Sequence, residues 1–72
     1  MNRVEFDLAI YSETALLKAI ADYKEICTIR FNKADGYMIC KFSDCRYELS
    51  VTINEFSNYV IDLMNMNDYV DH

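Results

Sequence analysis

The sequence contains no proline, one glycine, Gly36, and one histidine, His72. A lone glycine cannot build a phosphate-cradling loop, which needs successive backbone N–H groups held in glycine-rich turns. A lone histidine at the very end of the chain leaves the thiols without a positioned base, so nucleophilic cysteine catalysis is not expected. The carboxylates Glu13, Asp22, Glu25 and Glu55 fall at helix ends or solvent positions, where capping and solvation explain them without paired acid–base chemistry. No catalytic residue is assigned, and the chain reads as a protein that is not an enzyme.

Long apolar runs are also missing. No stretch approaches the roughly 18 apolar residues of a membrane span, and the opening Met1-Asn2-Arg3-Val4-Glu5 lacks the apolar core of a secretion signal. The three cysteines, Cys27, Cys40 and Cys45, are odd in number and contain no Cys-x-x-Cys pair, which is unlike a secreted disulfide scaffold. Reduced thiols and a cytoplasmic setting are the expectation. Cys40 and Cys45 with His72 fall short of the four closely spaced ligands of a structural zinc site, so neither metal nor cofactor is assigned.

Cations are scarce as well: Lys and Arg number 7 against 12 Asp and Glu, for a net charge of −5. That balance repels phosphate backbones and anionic lipid, excluding nucleic acid and membrane surfaces as expected partners. The excess is all at one end. Residues 1–46 carry equal numbers of acids and bases, while Glu48, Glu55, Asp62, Asp68 and Asp71 follow with no Lys or Arg among them.

What is present is a core. Hydrophobic residues make up 53% of the 72 positions and aromatics 14%, with no linker, repeat or low-complexity segment, so residues 1–72 are expected to form one α+β domain. A chain of this length buries only about 60% of its unfolded surface, and domains of this size often draw stability from a partner or a second copy.

Arg3 to Leu8 alternates polar and apolar, the period of a strand with Val4, Phe6 and Leu8 facing inward. Ser12 caps a helix over about 13–24 with a stripe of Leu16, Ala19, Ile20 and Tyr23. Ile26–Lys33 and Tyr37–Phe42 read as strands joined by the two-residue turn Asp35-Gly36, whose register sets Phe31 against Cys40 and Ile29 against Phe42. A turn at Ser43-Asp44 then predicts a further strand with Cys45, Tyr47 and Leu49 on the same inward face. Thr52-Ile53-Asn54-Glu55 has the form of a capping box before an amphipathic helix carrying Phe56, Tyr59, Val60, Leu63 and Met64. The expected architecture is a four-stranded sheet in β-α-β-β-β-α order with both helices on one face.

The same registers gather Arg30, Lys41 and Arg46 into a row across three strands of the uncovered face. Like charges directly opposite are unfavourable, so the row wants an anion. Glu5 or Asp7 supplies it if the first strand lies beside the second; otherwise an acidic partner does, with Tyr37 and Ile39 adding apolar contact. The acidic last helix offers a second surface, for a basic partner.

Ile10-Tyr11-Ser12 opening a helix with Ala15, Lys18-Ala19 and Tyr23, followed by Glu55-Phe56-Ser57-Asn58 and an acidic, apolar C-terminal helix, resembles the small D component of bacterial His-Xaa-Ser peptide-modification systems. Asn67-Asp68-Tyr69 echoes the Leu-Leu-Asn-Asp-Tyr-type motif of that family; a register aligned through Asn58 places the motif on Asp62-Leu63-Met64 instead. The resemblance implies an accessory in peptide maturation, working beside radical enzymes with iron–sulfur clusters and a peptide substrate, and it supplies no catalytic residue. A non-catalytic accessory that binds such an enzyme or its peptide is therefore the first functional expectation. A structural module that assembles with itself, as a homodimer or larger oligomer, is the second.

Overall fold

A computed structural model describes residues 2–68. The elements are β1 (Arg3–Asp7), α1 (Glu13–Asp22), β2 (Thr28–Ala34), β3 (Tyr37–Ser43) and α2 (Leu49–Asp68). β3 is the central strand of a three-stranded antiparallel sheet ordered β1-β3-β2. Both flanking strands run against β3, so β1 and β2 are parallel to each other with β3 inserted between them.

The hairpin follows from its turn. Asp35 and Gly36 both take positive φ, 54° and 82°, the twist that a two-residue connection needs to match the flanking strands. Register is then fixed, with Ala34 opposite Tyr37, Phe31 opposite Cys40 and Ile29 opposite Phe42. Helix α1 starts where Ser12 stops it from fraying: the Ser12 hydroxyl accepts the Ala15 N–H at 3.2 Å while its backbone stays extended.

The fourth strand is not formed. The ladder with β2 continues past Ser43 in a distorted form: Asp44 has φ 53°, and Arg46 N–H donates to the Ile26 carbonyl at 2.8 Å. One extra residue is thereby absorbed on the β3 side, as in a bulge, and the chain keeps running beside the start of β2 rather than folding back along β3. β1 occupies the other edge of β3. Residues 44–48 form a loop, and Leu49, expected in a strand, opens α2.

The capping box at Thr52 gives way for a related reason. Leu49, Ile53, Phe56, Val60 and Leu63 continue one helical stripe three residues further upstream, and burying Leu49 extends the helix. Thr52 consequently sits inside α2, fully buried, where its hydroxyl and its N–H both donate to the Glu48 carbonyl at 2.9 Å.

Both helices cover one face of the sheet. Phe6, Met38, Cys40 and Phe42 point into it and meet Ala15, Leu16 and Ala19 of α1 and Phe56, Val60 and Leu63 of α2. Phe56 is the junction: its ring lies 5.8 Å from Phe6, 5.3 Å from Phe42 and 5.2 Å from Tyr23, the last two edge-on. No helix among the described residues is long and apolar enough to cross a membrane.

Truncation of Phe56 to Ala removes the group on which β1, β3 and α1 converge, and large-to-small changes of this kind cost about 3–5 kcal/mol. That is comparable to the whole stability of a domain this small. Far-ultraviolet circular dichroism with urea titration should show loss of a cooperative transition, whereas Ile61→Ala, at an exposed position on the same helix, should leave the midpoint nearly unchanged.

Candidate partner-binding face

Period-two alternation sends Arg3, Glu5, Asp7, Thr28, Arg30, Asn32, Ala34, Tyr37, Ile39, Lys41 and Ser43 to the side of the sheet away from the helices. The registers arrange them in transverse rows. Arg3, Lys41 and Arg30 make one, Glu5, Ile39 and Asn32 the next, and Asp7, Tyr37 and Ala34 the third.

The row of three cations exists, with one change of member. Arg30 and Lys41 are directly opposite as the hairpin register requires, but the third place is held by Arg3. Arg46 lies in the loop beyond the sheet, tied by its backbone to Ile26, because the strand that would have carried it is absent. Parity alone put Arg3 on this face. What the sequence does not display is that β1 pairs with β3 rather than with β2.

Of the expected internal counter-charges, Glu5 serves only the Arg3 end of the row and Asp7 is engaged elsewhere. Glu5 receives Arg3 at 2.7 Å, and Asp7 Oδ1 accepts the Ala9 N–H at 2.9 Å, closing the turn into α1. Two further ion pairs, Lys18–Asp22 and Lys33–Glu13, both at 3.2 Å, lie on the helix side. Among the described residues no carboxylate comes within ion-pairing distance of Arg30 or Lys41. Tyr37, 38% exposed, and the half-buried Ile39 continue the face next to them.

The acidic surface of α2 is on the opposite side of the molecule's core from this row. Glu48, just before the helix, and Glu55 and Asp62 within it are exposed. Asp71 and His72 lie outside the described residues, as do Tyr69 and Val70. Asp22, at the end of α1, is an acid that ties the two helices together. It accepts the Tyr59 hydroxyl at 2.5 Å and the Lys18 ammonium at 3.2 Å. The Tyr59 hydrogen bond, then Lys18, hold its carboxyl below the usual range.

Cys27 and Cys40 are buried, and Cys45 half-buried; all three are free thiols. Desolvation pushes both Cys27 and Cys40 up to about 11, with Cys45 beside Cys27 adding to the first. At neutral pH the Cys27 and Cys40 thiols hold their protons. Among the described residues no three of His, Cys, Asp and Glu come together as a metal site.

The chain matches no protein-family model, no curated protein and no solved structure. Its sheet face presents a cation pair, Arg30 and Lys41, that among the described residues has no carboxylate partner and is bordered by Ile39 and Tyr37. Guanidinium and ammonium groups placed this way are donors suited to charge-assisted hydrogen bonds with a carboxylate.

Cys27 and Cys40 set an alkaline limit. In the unfolded chain they ionise near 9.0, while in the folded protein they hold their protons to about 11. Their contribution to stability is fully present below about pH 9 and is lost as pH rises toward about pH 11. Urea midpoints measured across that window should fall, and Cys40→Ala should flatten the fall relative to its own neutral-pH value. Tyr59→Phe should raise the Asp22 pKa, followed through the side-chain carboxyl carbon by nuclear magnetic resonance; an unmoved titration would show that the hydroxyl does not reach the carboxylate in solution.

Proposed function

We propose that this protein is a non-catalytic accessory that binds an acidic segment of a protein or peptide partner across its open sheet face. One observation carries the reading: Arg30 and Lys41 stand directly opposite each other with no carboxylate paired to either among the described residues, on a chain whose net charge is −5. Like charges opposed on a sheet are unfavourable by a few tenths of a kcal/mol up to about 1 kcal/mol, and an incoming carboxylate turns that cost into two charge-assisted contacts.

The neighbouring groups suit the same occupant. Ile39 and Tyr37 offer apolar contact one and two rows away, while Glu5 and Asp7 on β1 turn an acidic segment toward the β2 side. Arg3, held by Glu5, borders the site and can exchange partners, since an exposed ion pair is worth only about 0–1 kcal/mol. If the resemblance to the D component of peptide-modification systems reflects kinship, the occupant is the modifying enzyme or its peptide, and the setting is bacterial peptide maturation.

Titration of a fluorescent Asp- and Glu-rich peptide, read by anisotropy, tests the face. Arg30→Glu and Lys41→Glu should each weaken binding about tenfold, as expected for a lost charge-assisted hydrogen bond of about 1.5 kcal/mol or more. Lys24→Glu, an exposed cation in the turn after α1, should have little effect. Added salt should weaken the wild-type complex. Equal losses for all three variants would mean that only net charge is sensed, and the sheet face would be abandoned.

A further inference from the structure

The outer edge of β2 carries a second surface, independent of the open face. The backbone groups of Leu8 and Gly36 and of Asn2 and Phe42 are bonded across the β1–β3 ladder, so the even-numbered residues of β3 turn their N–H and C=O groups toward β1 and the odd-numbered ones toward β2. Opposite Tyr37, Ile39, Lys41 and Ser43 stand Ala34, Asn32, Arg30 and Thr28, which are thereby the paired residues of β2. Ile29, Phe31 and Lys33 are left with their backbone groups directed away from the sheet. Among the described residues no backbone group pairs with them.

This edge is apolar on its helix side. Lys33 is ion-paired to Glu13 near the start of α1, and the Cys27 N–H donates to the Tyr23 carbonyl at its end, so α1 runs antiparallel to β2. Two residues back along the strand is Phe31, and one turn on along the helix is Leu17, each displaced by about 6 Å from the ion pair in the same direction. Phe31 is 46% exposed and Leu17 39%, two large apolar groups that this geometry places on the helix side of the β2 edge. The edge of β1 differs: it is shorter, and its three outward residues, Arg3, Glu5 and Asp7, are all charged, a device that discourages strand addition.

We propose that two copies of this chain join antiparallel through β2, centred on Phe31, to form a continuous six-stranded sheet from two three-stranded ones. The sequence of the strand is self-complementary in that register. All seven residues overlap, Phe31 meets its own copy at the two-fold axis, Ile29 faces Lys33, Arg30 faces Asn32 and Thr28 faces Ala34, with no like charges directly opposite. Slipping the pair so that Arg30 lies on the axis sets two guanidiniums face to face, and placing Lys33 there opposes two ammonium groups. The backbone hydrogen bonds contributed by residues 29, 31 and 33, together with the Phe31 and Leu17 side chains, recruit the second copy without using Lys41 or Tyr37.

Sedimentation equilibrium over a wide protein concentration range, paired with amide hydrogen exchange, tests this. The expected result is a concentration-dependent dimer in which the amides of Ile29, Phe31 and Lys33 become protected as dimer forms while those of Glu5 and Asp7 do not. Phe31→Pro should abolish the dimer and leave the β2–β3 ladder intact, because the N–H it removes is not used within the chain. If that variant does not fold, Phe31→Glu keeps the backbone and places two carboxylates on the axis, with the same expected loss of dimer. A strictly monomeric protein overturns the proposal. So does a dimer in which those three amides stay unprotected, or one that dissociates with salt, which would point to the acidic side of α2 resting on the cation row. Acidic-peptide binding by Phe31→Glu, measured as above, should stay within about twofold of wild type, so failure of the dimer and failure of the open face are separately visible.

Discussion

The meeting of four aromatic rings at Phe56 is the contact on which the arrangement depends. Phe6 brings β1 to it, Phe42 brings β3 and Tyr23 brings the end of α1. A chain of 72 residues has room for one such centre. Everything exposed on the far side of the sheet inherits its position from it: once Met38, Cys40 and Phe42 are turned toward Phe56, parity turns Tyr37, Ile39 and Lys41 outward. The face proposed to bind a partner is therefore the obligatory reverse of the core, and substitutions there can change charge without disturbing packing.

Local features of the fold were readable where the chemistry is local. Asp35-Gly36 set both the turn and the register of β2 with β3, and Ser12 marked the start of α1. The segment after β3 misled because Cys45, Tyr47 and Leu49 satisfy a strand period over five residues, while Leu49 also satisfies the helical period of a stripe ending at Leu63. The longer pattern won, since a helix of 20 residues buries more than a short edge strand could. Thr52 and Glu55 looked like a cap for the same reason that any threonine three residues before a glutamate does; the hydroxyl found an equivalent partner one turn back, in the Glu48 carbonyl that precedes the helix.

The candidate face was legible in two of its three cations. Arg30 and Lys41 follow from the hairpin, which is encoded in adjacent residues. Replacing Arg46 by Arg3 depends on which strand lies next to β3, a matter settled by long-range packing of Phe6 on Phe56 rather than by any nearby residue. Glu5 and Asp7 were the expected neutralising groups, yet β1 sits on the far side of β3 from Arg30, and each acid has found a closer donor.

The insertion of β3 between β1 and β2 has a consequence for the way the chain acquires its structure. β2 and β3 are separated by two residues, so closing that ladder sacrifices little chain entropy, whereas β1 must find β3 across about thirty intervening positions. During synthesis β1 and α1 emerge ahead of β3, the strand on which β1 pairs. On loop-closure grounds the hairpin is the less costly pairing and the β1–β3 ladder the more costly one.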